Sequence, residues 1–163
     1  MTSAFHDADD GARAAAAQLL RASRFAALAV LTPQGLPFVS RIAFGLSPQG
    51  EPVALISQLA DHTQALGERP ECSLLIGEPG PKGDPLTHPR LTLQATARLM
   101  AHNTPAYSEM AVHWLRDHPK AKLYIGFADF VFATFQIQTG HLNGGFGKAY
   151  RLTPKDLDLR PLP

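Results

Sequence analysis

Short runs of apolar residues, separated by tight turns, dominate the first third of the chain. Residues 25–32, 36–46 and 52–57 each predict a strand. The turns Pro33-Gln34-Gly35 and Pro48-Gln49-Gly50 close the first two strands, with proline at a favoured turn position. Strands that follow one another through short turns predict an antiparallel meander.

The rest of the chain adds more strands and three helices. Further strands are predicted at 71–77, 90–101, 130–137 and 146–152, the last two joined by a turn at Thr139-Gly140. Helices are predicted at about 8–23, from about Asp61 to before Pro70, and at 105–118, with a short helical turn at 153–156. Six or seven strands with inserted helices favour a mainly β fold. We expect an antiparallel barrel with peripheral helices, in one domain spanning 1–163.

Composition and charge narrow the functional classes. The net charge of the 163 residues is +1, which indicates neither a nucleic-acid footprint nor an acidic tail. Cys72 is the single cysteine, which excludes an internal disulfide and a cysteine-based zinc site, and its apolar surroundings predict a buried, inert thiol. The first residues carry acids rather than a basic region, and the longest apolar stretch is too short to span a bilayer. We therefore expect a cytoplasmic protein with no membrane or nucleic-acid partner.

The junction between the third predicted strand and the second predicted helix places polar side chains at a helix N-terminus. An apolar run ends at Ser57, an amphipathic helix begins at about Asp61, and His62 and Thr63 follow. A helix N-terminus exposes unpaired N–H groups and the positive end of the helix dipole, which suits a phosphate. Ser57, Thr63 and His62 would add side-chain donors. The alternative is an ordinary capped helix, with Asp61 as N-cap and Gln64 three residues later.

Arg41 interrupts the apolar second strand, in phase with Val39 and Ala43. A charge among strand neighbours must point to solvent, a partner or an anion. If 46–52 forms a hairpin, positions 41 and 57 both lie about eight residues from its centre. Arg41 is then predicted to project beside Ser57, where its guanidinium would serve a phosphate. The alternative is a surface or dimer-interface arginine.

The glycines at 144–147 do not form a known phosphate loop. Leu142 stands where the P-loop needs glycine, and Ala149 stands where it needs serine or threonine. The glycines still allow the backbone to approach a flat or charged group, with Phe146 as a stacking face and Lys148 as a cation. A β-bulge or hairpin with a surface lysine is the alternative.

Three separated blocks carry a resemblance to a known family. They are 55–63 (LISQLADHT), 118–130 (HPKAKLYIGFADF) and 144–147 (GGFG). The chain resembles the split-barrel flavin-binding family typified by pyridoxamine 5′-phosphate oxidase, and within it the haem-utilisation branch, over about residues 12–157. The resemblance implies a homodimer of antiparallel split β-barrels, with two FMN sites in the dimer groove that touch both subunits.

The resemblance also implies a set of cofactor-binding residues. Arg41 and Ser57 would lie near the flavin phosphate and ribityl chain, and His62-Thr63 stands where the oxidase has an Arg-Lys pair. The further residues implied are Gln58, Arg90, Phe146 and Lys148. The Arg-x-His pattern that holds pyridoxal phosphate in the oxidase is absent after position 148, so vitamin B6 oxidation is not predicted.

Three functions remain open on the sequence. The first is an FMN-dependent oxidoreductase acting on a small-molecule substrate, with a deazaflavin as a variant cofactor and no catalytic side chain. The second is a haem-binding or haem-utilisation protein, with His113 or His141 as a candidate axial ligand. The third is a flavin-binding dimer without catalysis. No other metal site is predicted.

Overall fold

Eight strands and three α-helices form the part of the chain that the computed structural model describes, residues 5–159. The strands are β1 (His6–Asp7), β2 (Phe25–Leu31), β3 (Pro37–Leu46), β4 (Pro52–Ser57), β5 (Glu71–Ile76), β6 (Arg90–Leu99), β7 (Phe130–Asn143) and β8 (Ala149–Leu152). The helices are α1 (Asp10–Ala22), α2 (Asp61–Glu68) and α3 (Pro105–Asp117). None of these helices is both long and apolar enough to cross a membrane. The first four and last four residues of the predicted domain lie outside the described residues.

Six of the strands close into a barrel. They follow the order β7-β4-β3-β2-β5-β6, all neighbouring pairs are antiparallel, and β6 pairs again with β7. β8 continues the sheet beyond β7, and β1 pairs with β8 in parallel. Closure removes the free edges that an open sheet of these six strands would have. The prediction of a mainly β, antiparallel split barrel with peripheral helices is confirmed, although the described residues contain eight strands rather than six or seven.

The apolar side chains divide between two cores. In β4, Ala54 and Ile56 belong to the core inside the barrel, whereas Val53 and Leu55 belong to a second core on the outer side. Trp114 of α3 is part of that second core. A strand buried on both faces carries an uninterrupted apolar run, which explains why β4 shows no alternation in the sequence. Packing on both sides fixes the end of β4, where the predicted site begins.

The end of the chain differs from the prediction. β7 passes through Thr139-Gly140 without turning, and Gly140 pairs with residues of both neighbouring strands. A Cβ on Gly140 would lie 2.8 Å from Leu157 Cδ1, so this glycine permits close packing within a strand. The predicted turn at 139–140 is therefore wrong. The chain turns at 144–147 instead, and the last strand begins at Ala149 rather than at residue 146.

A carboxylate near the end of the described chain makes stability depend on acid pH. Asp156 accepts hydrogen bonds from the Thr153 N–H at 2.8 Å, the Thr153 hydroxyl at 2.7 Å and Arg13 Nε at 2.7 Å. These contacts lower the pKa of Asp156 from 3.8 to about 2. Because the folded-state pKa is the lower one, the stabilisation is present above about pH 4 and is lost as the pH falls toward about 2. The urea midpoint of the wild type should fall more on acidification than that of Asp156→Asn, and parallel pH curves would contradict this.

Candidate functional site

Arg41 and Ser57 lie on neighbouring strands of the barrel. β3 and β4 pair with Ala43 opposite Leu55, a register centred on position 49, as the hairpin argument predicts. The pairing ends at Ala43 and Leu55, so Arg41 and Ser57 each lie two residues beyond the last paired position of this strand pair. Both positions alternate outward, in phase with Ala43 and Leu55, which pack in the outer core. The predicted register is therefore present, and the contact between Arg41 and Ser57 stays a prediction.

The side chain of Arg41 points toward a groove on the other side of β3. Its guanidinium carbon lies 5.3 Å from the centroid of the Phe25 ring, a cation–π contact. The groove has a volume of about 250 Å³. It is lined by Phe25, Ala27, Arg41, Leu75, Ile76, Gly77, Glu78, Pro79, Pro85, Leu86 and Arg90. Two of the predicted cofactor residues, Arg41 and Arg90, thus share one largely apolar groove.

The loop between β5 and β6 forms one wall of this groove and holds Arg90. Arg90 Nη1 donates to the Leu86 carbonyl at 3.1 Å. His88 fastens the loop, because its Nδ1 accepts from the Gly80 N–H at 3.2 Å and its Nε2 donates to the Lys82 carbonyl at 2.9 Å. One ring nitrogen must accept while the other donates, so both bonds need the neutral imidazole. The exposed loop predicted here therefore has a defined shape that positions Arg90.

The N-terminus of α2 has no side-chain cap. Ala60 is the N-cap and Asp61 is the first helical residue, so the alternative of a helix capped by Asp61 is wrong. His62 Nδ1 shares a hydrogen bond of 3.0 Å with Ser40 Oγ, whereas His62 Nε2 and Thr63 Oγ1 are buried without a partner. Burial lowers the pKa of His62, and the Asp61 charge opposes this effect. Burial therefore favours the uncharged imidazole of His62.

A carboxylate that the sequence argument did not assign lies next to Ser57. Ser57 Oγ donates to Asp129 Oδ2 at 2.7 Å and accepts from the Leu59 N–H at 3.1 Å. The Gln58 N–H donates to the Asp129 carbonyl at 2.7 Å, and Gln58 itself is exposed. The pairing of Ser57 with Phe130 between β4 and β7 brings Asp129 to this position. The available signal was an acid directly before an aromatic strand, but its partner emerges only from the long-range pairing.

Phe146 and Lys148 lie in the turn between β7 and β8. The Gly144 N–H donates to the Lys148 carbonyl, and the Lys148 N–H donates to the Gly145 carbonyl, so this segment is a hairpin turn. Phe146 is 77% exposed. A Cβ on Gly145 would lie 3.2 Å from the Thr87 carbonyl oxygen, so the turn abuts the loop between β5 and β6. These two residues lie beside that loop and are not among the groove lining.

Neither candidate axial histidine lines the groove. His113 Nε2 donates to the Leu46 carbonyl at 3.0 Å. His141 packs edge to face with Phe5, with ring centroids 5.1 Å apart. Within residues 5–159, no group of three or more histidine, cysteine or carboxylate side chains is arranged to hold a metal ion. Metal binding by a built cluster of protein ligands therefore has no support in the described part of the chain.

The fold and groove define the class of protein before any comparison. A closed six-stranded antiparallel barrel, with helices outside and two arginines in one groove on its outer face, is a split barrel. Residues 12–142 match the family model of pyridoxamine 5′-phosphate oxidase. The chain belongs to this family.

Relatives of the chain include proteins named for haem. It is 33% identical over 119 residues, 72% of its length, to the chloroplastic non-canonical haem oxygenase HOZ of Arabidopsis thaliana, and it spans 35% of that protein. It is 27% identical to a haem-binding protein of Mycobacterium smegmatis, with a TM-score of 0.82 over 93% of this chain and 61% of that one. The haem storage protein HutZ of Vibrio cholerae is 20% identical and shares the fold, with a TM-score of 0.68 over 84% of this chain and 94% of that one.

Proposed function

We propose that this chain is a haem-utilisation protein that binds haem on the outer face of the barrel. The observation that carries the proposal is the groove in which Arg41 and Arg90 accompany the apolar side chains of Phe25, Leu75 and Leu86. Haem is a flat, largely apolar macrocycle with two carboxylates, and guanidinium groups are well matched to carboxylates. The similarity to the haem-binding protein of M. smegmatis and to HOZ supports the same choice.

The residues of this chain would bind and orient the cofactor. Arg41, held over the Phe25 ring, and Arg90, held by the Leu86 carbonyl, would take the carboxylates. Phe25 and Leu75 are 40% and 44% exposed and would cover part of the apolar macrocycle. When bound, haem would supply iron-centred redox chemistry, while the protein would supply position and the exclusion of water.

A second copy of the chain is proposed to complete the site. The groove of about 250 Å³ is smaller than the roughly 300–1,000 Å³ of a typical ligand pocket. Beside it, the outer face of β2, β3 and β5 exposes Leu31 (38%), Val39 (63%) and Leu75 (44%). Packing two such faces together in a homodimer would bury these side chains and close the groove from both subunits.

Titration of the purified protein with haem, followed by desalting, tests the proposal. We expect a sharp Soret band that survives desalting, on a protein that sediments at twice the monomer mass. The same protein incubated with FMN serves as the comparison, and we expect it to retain no flavin absorbance. If the protein retains flavin but not haem, the cofactor is a flavin instead of haem. A monomer with full haem occupancy would contradict a site shared between two subunits.

A flavin is the second candidate, because the start of α2 favours an anion. The helix has no side-chain cap, and His62 Nε2 and Thr63 Oγ1 are buried there without partners. The phosphate of FMN or of a deazaflavin would satisfy these groups, with Ser57 just before the helix. The protein would then be an oxidoreductase for a small-molecule substrate, or a flavin carrier without turnover. Reduction of the bound flavin by a substrate separates these two.

A further inference from the structure

The loop between β5 and β6 is joined to itself by one histidine. His88 Nδ1 accepts from the Gly80 N–H at 3.2 Å, and Nε2 of the same ring donates to the Lys82 carbonyl at 2.9 Å. A Cβ on Gly80 would lie 3.0 Å from His88 Cε1, so the ring also packs directly against the Gly80 backbone. The imidazole therefore connects the start of this groove-wall loop, residues 77–89, to its end.

The two ends of the groove-wall loop are held independently of His88. Ile76 pairs with Leu91 where β5 meets β6, and a Cβ on Gly77 would lie 2.5 Å from the Pro89 carbonyl oxygen. Between these ends the chain forms one short 3₁₀ turn, Pro85–Thr87, and no strand. Loss of the His88 bonds would therefore affect the loop and leave the barrel intact.

The same loop supplies one wall of the groove and the support of Arg90. Its residues in the groove lining are Gly77, Glu78, Pro79, Pro85 and Leu86. Arg90 Nη1 donates to the Leu86 carbonyl at 3.1 Å and lies 3.5 Å from the His88 carbonyl oxygen. Movement of residues 80–88 would thus change both the apolar wall and the position of one of the two guanidinium groups.

A second proton on the His88 ring is incompatible with this arrangement. The proton would go to Nδ1, so two N–H groups would face each other across the 3.2 Å to Gly80 N, while the bond from Nε2 would remain. An imidazole ordinarily takes up this proton near about pH 6.5. Among residues 5–159 no ion pair includes His88. The charged side chains of the segments around it are Glu78, Lys82 and Asp84 in the loop, Arg90 after it, and Lys148 in the turn that packs against Thr87.

We propose that His88 makes the groove-wall loop sensitive to pH: the neutral ring holds the loop in shape, and the protonated ring releases Gly80 and loosens residues 80–87. The bond to Nδ1 exists only in the neutral form, so the loop is ordered above about pH 6.5 and loosens below it. Because Leu86 and Arg90 depend on this segment, ligand affinity in the groove falls over the same range. The effect on affinity rests on the proposed function, whereas the effect on the loop does not.

Backbone order in the ligand-free protein tests the loop directly, by NMR relaxation of its amides at about pH 7.5 and about pH 5.5. For residues 80–87 of the wild type we expect order parameters of about 0.85 at the higher pH and below about 0.6 at the lower one. His88→Gln offers a neutral acceptor and donor at both pH values, so its loop should stay ordered. His102→Gln removes a histidine beyond the opposite end of β6 from Arg90 and should behave like the wild type.

Haem affinity at the same two pH values tests the consequence for the groove. It is measured by Soret titration of the wild type and of His88→Gln. On acidification we expect the affinity of the wild type to fall about three- to tenfold more than that of His88→Gln, as the loss of one hydrogen bond implies. Comparing the two proteins at each pH removes the pH dependence of haem itself.

Several outcomes would overturn this inference. A wild-type loop that stays ordered at the lower pH, or that loses order equally in His88→Gln, would show that His88 does not sense pH. His88→Ala removes the ring, so its loop should be disordered at both pH values, and order equal to that of the wild type would show that the ring does not hold the loop. Equal losses of haem affinity in the wild type and His88→Gln would disconnect the loop from the groove. A protein that binds no haem at either pH would overturn the proposed function, and the order parameters would still decide whether His88 controls the loop.

Discussion

Replacing Arg41 and Arg90 together by alanine should weaken haem binding by at least about a hundredfold. A hydrogen bond to a charged group contributes roughly 1.5–3 kcal/mol, so two of them correspond to roughly 3–6 kcal/mol of binding free energy. Folding should be little affected, because Arg41 is exposed and Arg90 gives up only its bonds to the Leu86 and His88 carbonyls. Soret absorbance during titration measures the affinity, and urea unfolding measures the stability.

Two control variants distinguish binding in the groove from a general effect of positive charge on haem affinity. Arg98→Ala combined with Arg116→Ala removes the same total charge from exposed positions outside the groove, and should leave haem affinity nearly unchanged. Arg41→Lys combined with Arg90→Lys keeps both charges but loses the planar, two-pronged donor, so its affinity should fall between wild type and the alanine variant. An alanine double variant that binds haem within about threefold of the wild type would show that the groove is not the site.

The hairpin around position 49 shows how much of the site the sequence carries. Residues 46–52 were expected to turn, and the observed pairing of Ala43 with Leu55 has the register that follows from that turn. The register of two strands joined by a tight turn follows from the sequence around that turn, so the pairing of β3 with β4 is predictable. The direction of the Arg41 side chain is not, because the Phe25 ring that attracts it lies on a different strand.

The position of Asp129 beside Ser57 could not be predicted from the local sequence pattern. It lies 72 positions after Ser57 in the chain, and the pairing of β4 with β7 alone brings the two together. Such long-range pairings depend on closure of the whole barrel rather than on a neighbouring turn. The same holds for Arg90, which reaches the groove through β6 and the bonds of its preceding loop.

The turn predicted at Thr139-Gly140 failed for a different reason. Glycine breaks strands in isolation, but it also allows two elements to approach closely, and the sequence does not distinguish these uses. Gly140 allows a close approach within a strand, because Leu157 packs where a Cβ would lie. The glycines at 144–147 serve the first use, with Gly145 and Gly147 at φ values of +112° and +71°.

Gly77, at the junction between β5 and the groove-wall loop, should tolerate no side chain, so Gly77→Ala is expected to cause a large loss of stability. Its φ is +98°, and an added Cβ would lie 2.5 Å from the Pro89 carbonyl oxygen and 2.9 Å from Arg90 Cα. Both are backbone atoms, so the chain itself must move. We expect the free energy of unfolding to fall by about 3 kcal/mol or more, of which roughly 1–2 kcal/mol is the cost of the left-handed conformation.

Gly83→Ala is the matched control, because Gly83 has a φ of +84° and no heavy atom within 4 Å of an added Cβ. It should lose only the conformational part, about 1–2 kcal/mol, so the difference between the two variants in urea unfolding measures the overlap at Gly77. That overlap displaces the backbone of Arg90, and Gly77→Ala should therefore also weaken haem binding, whereas Gly83→Ala should not. Equal losses of stability in the two variants would mean that the junction yields without strain, and would remove the reason to regard Gly77 as the residue that holds Arg90 at the groove.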